Sequence, residues 1–139
     1  MILDKEKFNN NFFDEKIFMY LENDDLCLRV KKSKEKIFVF ANSLISHLGG
    51  KTVDKKYSNE IEFSRNWHWN WSKFYFRKKH YGFFLAFVPG LLTFFKAVFK
   101  SSYFFIINNK FKSKIYYCRA SGFINAALNK KSWFRPRID

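Results

Sequence analysis

The side chains best suited to chemistry lie in two short segments of the first fifty-odd residues. The first segment is the acidic cluster Glu22-Asn23-Asp24-Asp25, which is followed by the basic positions Arg29 and Lys31. Acidic residues before and basic residues after an apolar stretch predict a short α-helix, because they complement its dipole. The second segment is His47-Leu48-Gly49-Gly50-Lys51. Taken singly, the two segments are most simply solvated residues at a helix start and a surface histidine.

Taken in order along the chain, the two segments have a chemical use. A carboxylate at the mouth of a sheet can take the proton of an acceptor hydroxyl. A histidine on a following strand or loop can reach a divalent metal ion or a diphosphate, and a Gly-Gly turn lets the backbone approach a phosphate. The order therefore suits deprotonation of a hydroxyl beside a diphosphate.

The elements that would hold these residues change character near residue 58. Two β-rich runs, residues 36–40 and 43–48, follow the short helix and predict two strands. Residues 51–58 are polar and predict a connector. Beyond them the pattern is helical, and we expect three helices at about residues 59–80, 83–107 with a break at Pro89–Gly90, and 114–128.

Length, net charge and cysteine content limit the kinds of protein that this chain can be. The chain has 139 residues, the size of one domain, and 26 Lys+Arg against 12 Asp+Glu give a net charge of +14. This balance predicts attraction to nucleic acid, an anionic lipid surface or phosphorylated small molecules, although an AT-rich genome favours the same residue types. Cys27 and Cys118 have no CxxC spacing, which argues against a disulfide framework or a zinc site and indicates a reducing compartment. The N-terminus lacks the apolar core of a signal peptide, so we expect no secretion.

Three segments together resemble a known family. Residues 13–15 and 18–29, FDE and FMYLENDDLCLR, look like an FDE…FLYxExxDLCxR signature. Residues 45–51 look like an HxGGKS segment, with Thr52 in place of the usual Ser, and residues 64–82 are similar to an SRNxxxFxxKHxG region. The chain thus resembles family 2 glycosyltransferases, most closely the rhamnosyltransferase-like bacterial members, and the match is closest over residues 1–82.

The resemblance implies an inverting enzyme of the GT-A fold that transfers a sugar from a nucleotide-sugar donor to a glycan or lipid-linked acceptor. Glu22 and Asp25 match its acidic positions, and either would be the base that activates the acceptor hydroxyl. Asn23, Asp24 and Arg29 would support them, since Arg29 lies one turn beyond Asp25 and can hold that carboxylate ionised. The amide of Asn23, where many members carry an acid, cannot accept the proton.

The same resemblance implies a site for the donor. The positions that would contact the metal ion or the diphosphate are His47, Gly49, Gly50 and Lys51. A divalent ion, Mg²⁺ or Mn²⁺, is expected for the complete enzyme, although nothing in this chain demonstrates one. The donor-side DxD motif is absent from the sequence, and Met1 stands just before the FDE segment. We therefore expect a truncated form with little activity alone, unless a separate chain supplies the N-terminal half.

The predicted architecture is a predominantly helical α+β chain. Residues 1–57 would be the acceptor-side, C-terminal fragment of a GT-A domain, a short helix plus two strands. Residues 58–139 would form an aromatic-rich, basic region of about three amphipathic helices. In that region Trp67, His68 and Trp71 could line an acceptor groove, because sugars stack on aromatic rings, but aromatic side chains at helical spacing are more often core.

The apolar run of residues 82–95 leaves the membrane question open. It is too short to span a bilayer, but extended to Ile107 it becomes an amphipathic helix that includes Lys96 and Lys100. Such a helix suits an anionic membrane interface, and internal packing or a spanning segment are the alternatives. We expect a cytoplasmic protein, peripheral on the inner face of the cell membrane. A non-catalytic membrane-peripheral remnant is the alternative function. A nucleic-acid-binding module has no fold signature here, so no nucleic acid is expected.

Overall fold

The computed structural model describes residues 12–38, Ser46 and residues 54–137, and this part of the chain is helical. Its α-helices are α1 (Glu22–Lys32), α2 (Ser58–Tyr81), α3 (Phe83–Ile106) and α4 (Lys110–Ala127). A single 3-10 turn, Lys55–Tyr57, leads into α2. The short first helix and the helix predicted at 59–80 are therefore confirmed.

The predicted α+β fold is wrong for the described residues, because no strand and no strand-containing GT-A fragment is present in them. Residues 36–38 of the first predicted strand have no regular structure, and both Ile37 and Phe38 are exposed. A β-rich run forms a strand only where a neighbouring strand satisfies its backbone and covers its side chains. The remainder of that run and all of the second predicted strand except Ser46 lie outside the described residues.

The core is built on α2, whose buried residues Phe63, Trp67, Trp71 and Phe74 recur at helical spacing and form one face. They form one cluster with Ala86 of α3 and with Cys118, Phe123 and Ala126 of α4. Burial raises the pKa of the Cys118 thiol to about 11. The contact between α2 and α4 is close at Gly122, where an added Cβ would lie 2.3 Å from the carbonyl oxygen of Trp67.

The predicted break at Pro89–Gly90 is also wrong, because α3 continues through both residues. Proline removes the bond that its N–H would donate to the carbonyl of residue 85. Leu85 is exposed, so water can satisfy that carbonyl, and the Thr93 hydroxyl donates to the Pro89 carbonyl at 3.0 Å. Gly90 keeps the helix against its neighbour, since an added Cβ would lie 2.3 Å from the Phe123 ring.

The connections between helices explain the remaining boundaries. Gly82, at φ 95°, joins α2 to α3 in a conformation that other residues rarely adopt. The last helix begins at Lys110 and not near residue 114, because the Asn109 side chain caps it by accepting from the Lys112 N–H at 3.1 Å.

Candidate functional site: a buried carboxylate network

The carboxylate of Asp25 is the centre of the most connected polar site in the described chain. Its side chain is 0% exposed, and three basic side chains donate to it. Arg29 Nε lies 3.0 Å from Oδ2, one turn along α1. Lys79 Nζ and His80 Nε2, both from the end of α2, lie 2.6 and 2.7 Å from Oδ1. Asp25 therefore fixes α1 against the C-terminal end of α2.

A second carboxylate extends this arrangement toward the N-terminal segment. Lys79 Nζ also donates to Asp14 Oδ2 at 2.8 Å, so one ammonium bridges two acids. The Tyr75 hydroxyl donates to the same oxygen at 2.8 Å, and the backbone N–H of Lys16 donates to Oδ1 at 3.0 Å. The five ionisable residues Asp14, Asp25, Arg29, Lys79 and His80 are called the Asp25 network below.

The protonation of His80 follows from its two neighbours. Lys32 Nζ lies 3.2 Å from His80 Nδ1. An ammonium can only donate, so Nδ1 accepts from Lys32 and the proton of the neutral ring lies on Nε2. That Nε2–H donates to Asp25, which makes His80 a hydrogen-bonded link between Lys32 on α1 and the buried carboxylate.

The network keeps both acids ionised. Burial alone would raise the pKa of Asp25, but the hydrogen bonds from Lys79, His80 and Arg29 outweigh it and hold that pKa below its ordinary value. Burial also acts to raise the pKa of Asp14. The hydrogen bonds from Lys79, the Lys16 backbone and Tyr75 outweigh it, so the pKa of Asp14 is lowered overall. Burial raises the pKa of Tyr75, and the adjacent Asp14 carboxylate adds to the effect.

This geometry suits Asp25 to a structural role. Both of its oxygens already accept hydrogen bonds, and the carboxylate has no exposed surface from which to reach a substrate hydroxyl. The residues around it are basic, so the site does not fit a divalent cation. Among residues 12–38, Ser46 and 54–137, no group of three or more His, Cys, Asp or Glu side chains is arranged to hold a metal ion.

Glu22, the other predicted catalytic acid, lies outside the Asp25 network at the first position of α1. Its Oε2 atom is buried and has no hydrogen-bond partner in the described part of the chain. The two residues before it, Tyr20 and Leu21, have φ values of 69° and 67°. Left-handed conformations of bulky residues cost about 1–3 kcal/mol each and are found where the surrounding structure holds them for a purpose.

Tyr20, two residues before Glu22, lies near charged and aromatic residues of α2. Burial raises the pKa of Tyr20, the positive charge of Arg65 lowers it, and the negative charges of Glu62 and Glu22 raise it. The Tyr20 ring also meets Trp69 edge-on at 5.5 Å. Glu22 and the α2 residues Glu62 and Arg65 all lie near Tyr20, and Arg65 belongs to the SRN segment.

The remaining predicted site residues are divided by the structure. Asn23 and Asp24 are exposed in the first turn of α1, and Arg29 belongs to the Asp25 network. The predicted donor-site residues His47, Gly49, Gly50 and Lys51 lie outside the described residues.

The aromatic residues proposed as an acceptor groove lie in the core. Trp67 and His68 are fully buried and Trp71 nearly so. The Trp67 indole donates to Ser121 Oγ at 3.2 Å and the Trp71 indole to the Lys130 carbonyl at 3.0 Å. His68 Nε2 lies 2.7 Å from the Phe134 carbonyl, so it carries the proton and donates. Burial lowers the pKa of His68, so its neutral form is favoured.

Sequence reasoning assigned no role to Asp14, Lys79 or His80, although all three fall within the family-like segments. Lys79 and His80 lie 54 and 55 positions beyond Asp25, and nothing in local spacing joins them. The only signal was their membership of the FDE and KHxG segments.

Comparison of the chain with protein-family models, with curated proteins and with solved structures finds no match.

Proposed function

We propose that this chain forms the acceptor-side part of an inverting family 2 glycosyltransferase-like protein, in which Glu22 is the base that activates an acceptor hydroxyl. The substrates would be a nucleotide-sugar donor and a glycan or lipid-linked acceptor. The observation that carries the proposal is the convergence of two of the three family-like segments, residues 13–29 and residues 64–82, in the Asp25 network.

The convergence matters because the segments are far apart in sequence. Asp14, Asp25 and Arg29 come from the FDE…DLCxR signature of residues 13–29, and Lys79 and His80 come from the KHxG end of residues 64–82. Segments that resembled a family by chance would have no reason to meet in one buried set of ion pairs. Their meeting supports a common origin of these segments with the family that they resemble.

The different roles that we propose for Asp25 and Glu22 follow from their surroundings. Asp25 is ionised and buried, and both of its oxygens accept hydrogen bonds, so it suits the positioning of α1. Glu22 has a carboxylate oxygen without a partner in the described chain, and it follows two residues in strained conformations. A general base must keep a lone pair available for the incoming proton. Glu22 is partly exposed, and its Oε2 atom, although buried, accepts no hydrogen bond from the described residues, so Glu22 fits that requirement better than Asp25.

The test is sugar transfer by membranes from cells that produce the chain, supplied with radiolabelled nucleotide sugars and lipid-linked acceptors. We expect Glu22→Gln to lower transfer by about 10²-fold or more, the usual contribution of a general base. The matched control is Glu15→Gln, an exposed acid of the FDE segment outside the Asp25 network, which should leave transfer unchanged. Equal transfer by wild type and Glu22→Gln would contradict the assignment.

A non-catalytic, membrane-peripheral protein is the second candidate. It is favoured by the all-helical structure of the described residues and by the exposed apolar side of α3. Wild-type membranes that transfer no sugar from any donor, together with retained binding to vesicles, would favour this candidate over the first.

A further inference from the structure

The outer face of α3 is an apolar surface that the fold leaves uncovered. Six large side chains recur at helical spacing on this face, and each is at least 60% exposed. We call them the outer stripe: Phe84, Val88, Leu92, Phe95, Phe99 and Ile106. At 1.5 Å per residue the stripe is about 33 Å long. Soluble proteins rarely expose a continuous apolar surface of this size unless it binds something.

The opposite face of the same helix is the one that the protein uses for packing. Ala86 and Ala97 are buried there, and Gly90 lies against the Phe123 ring. The hydroxyl of Ser101 donates to the Ser113 carbonyl of α4 at 3.0 Å. Because small residues bring α3 close to its neighbours on this side, the large residues of the outer stripe are left for an external partner.

The charge of the surrounding chain identifies the partner as an anionic surface. Residues 63–137 contain fifteen Lys and Arg and not one Asp or Glu. Lys96 and Lys100 are exposed along one border of the outer stripe, and Lys110 and Lys112 follow its C-terminal end. Nucleic acid would satisfy these charges but would gain nothing from six exposed apolar side chains. A bilayer that contains anionic lipid satisfies both features.

The contacts of α3 decide how it would meet that bilayer. Among the described residues α3 alone is long and apolar enough to span a membrane, with a mean hydropathy of 1.6 over its most apolar window. However, α4 packs along it, with Phe104 stacked on Tyr116 at 5.6 Å and Phe94 against Phe123 at 5.7 Å. A spanning α3 would draw the charged side chains of α4 into hydrocarbon, which is costly.

We propose that α3 lies in the plane of an anionic membrane, with the outer stripe in the acyl region and its bordering lysines at the phosphate level. The Asp25 network is then held close to the lipid surface, because five residues from Lys79 to Phe84 span at most about 18 Å. This consequence rests on the proposed function: Glu22 and the first turn of α1 would face a lipid-linked acceptor. The docking itself does not depend on any catalysis.

The test is flotation of the purified full chain with phosphatidylcholine vesicles that contain or lack phosphatidylglycerol. We expect strong binding only with the anionic lipid. Leu92→Glu, in the outer stripe, should lower the partition coefficient about tenfold or more. Its matched control is Leu128→Glu just beyond α4, because the two leucines are 63% and 62% exposed, and this variant should change binding less than about twofold. Circular dichroism checks that both variants are folded.

Four outcomes would overturn the proposal. These are equal losses in the two leucine variants, equal binding to vesicles with and without phosphatidylglycerol, binding to duplex DNA in place of vesicles, and a dimer without vesicles that Leu92→Glu dissociates. Glu22→Gln should float like the wild type. A Glu22→Gln variant that loses sugar transfer but still floats therefore tests the proposed base. A Leu92→Glu variant that no longer floats tests the docking surface.

Discussion

The last residue of the Asp25 network, His80, lies four positions before the first residue of the outer stripe, Phe84, yet the two regions place opposite kinds of side chain in the interior and on the surface. The network buries the carboxylate of Asp25 among three basic side chains, and the stripe exposes Phe, Leu, Val and Ile. Buried ion pairs have directional bonds that fix two elements in one arrangement, although their desolvation is costly. Exposed apolar side chains do not stabilise the fold of the isolated chain. They contribute free energy only when a partner covers them. The comparison therefore separates a region that sets internal geometry from a region that sets location.

Removal of the buried acid Asp25 should have the largest effect on stability. Asp25→Ala leaves Arg29, Lys79 and His80 without their shared partner, so we expect the free energy of unfolding in urea to fall by about 3–5 kcal/mol. The matched control, Asp24→Ala, removes an exposed acid from the same turn and should cost less than about 1 kcal/mol. Similar losses in both variants would show that the network does not fix α1.

Low pH should gradually remove the contribution of the buried carboxylates to the free energy of unfolding. The pKa values of Asp14 and Asp25 are lowered from the ordinary 3.8 on folding, so the unfolded chain binds protons first as the pH falls. Their contribution is therefore complete above about pH 5 and is lost as the pH falls through the lowered values. We expect the difference in the free energy of unfolding between wild type and Asp25→Asn to narrow as the pH falls from 6 to 2. A constant difference across this range would contradict the ionised state of Asp25.

A change of side-chain volume should affect the free energy of unfolding strongly on the inner face of α3 and weakly on its outer face. Ala97→Leu overfills the buried inner face and should cost about 1–3 kcal/mol of unfolding free energy. Phe99→Ala, two positions away on the outer stripe, should change it by less than about 0.5 kcal/mol. Thermal unfolding without lipid measures both. An equal cost in the two variants would mean that the outer stripe is covered within the protein.

The helices show where sequence patterns were sufficient. The helical pattern of the sequence predicted α2 within a residue at each end, because the apolar residues that recur along it, Phe63, Trp67, Trp71 and Phe74, are those that the fold buries. The start of α4 was predicted late, although Asn109 was present as a capping residue. The break at Pro89 was predicted because proline disfavours a helix interior, and packing of α3 on its neighbours outweighs the single lost bond.

The candidate site was less accessible to sequence reasoning. Asp25 and Glu22 looked equivalent because they share a helix turn, and their difference comes from partners that are distant in sequence. The Asp25 network depends on Lys79 and His80, whose approach is set by how α1 docks on the end of α2. The aromatic cluster at Trp67 and Trp71 had two possible roles because periodicity does not show which elements will cover a face.

The in-plane orientation of α3 can be measured directly from the depth of two adjacent positions in the bilayer. Nitroxide labels would be placed in Leu92→Cys and Thr93→Cys, in a chain whose half-buried Cys27 is replaced by Ser and whose Cys118 is buried. Both positions are exposed, but they face about 100° apart around the helix. With anionic vesicles, we expect the label at 92 to enter the acyl region and the label at 93 to stay accessible to aqueous relaxation agents. Equal depth for the two labels would contradict an in-plane α3.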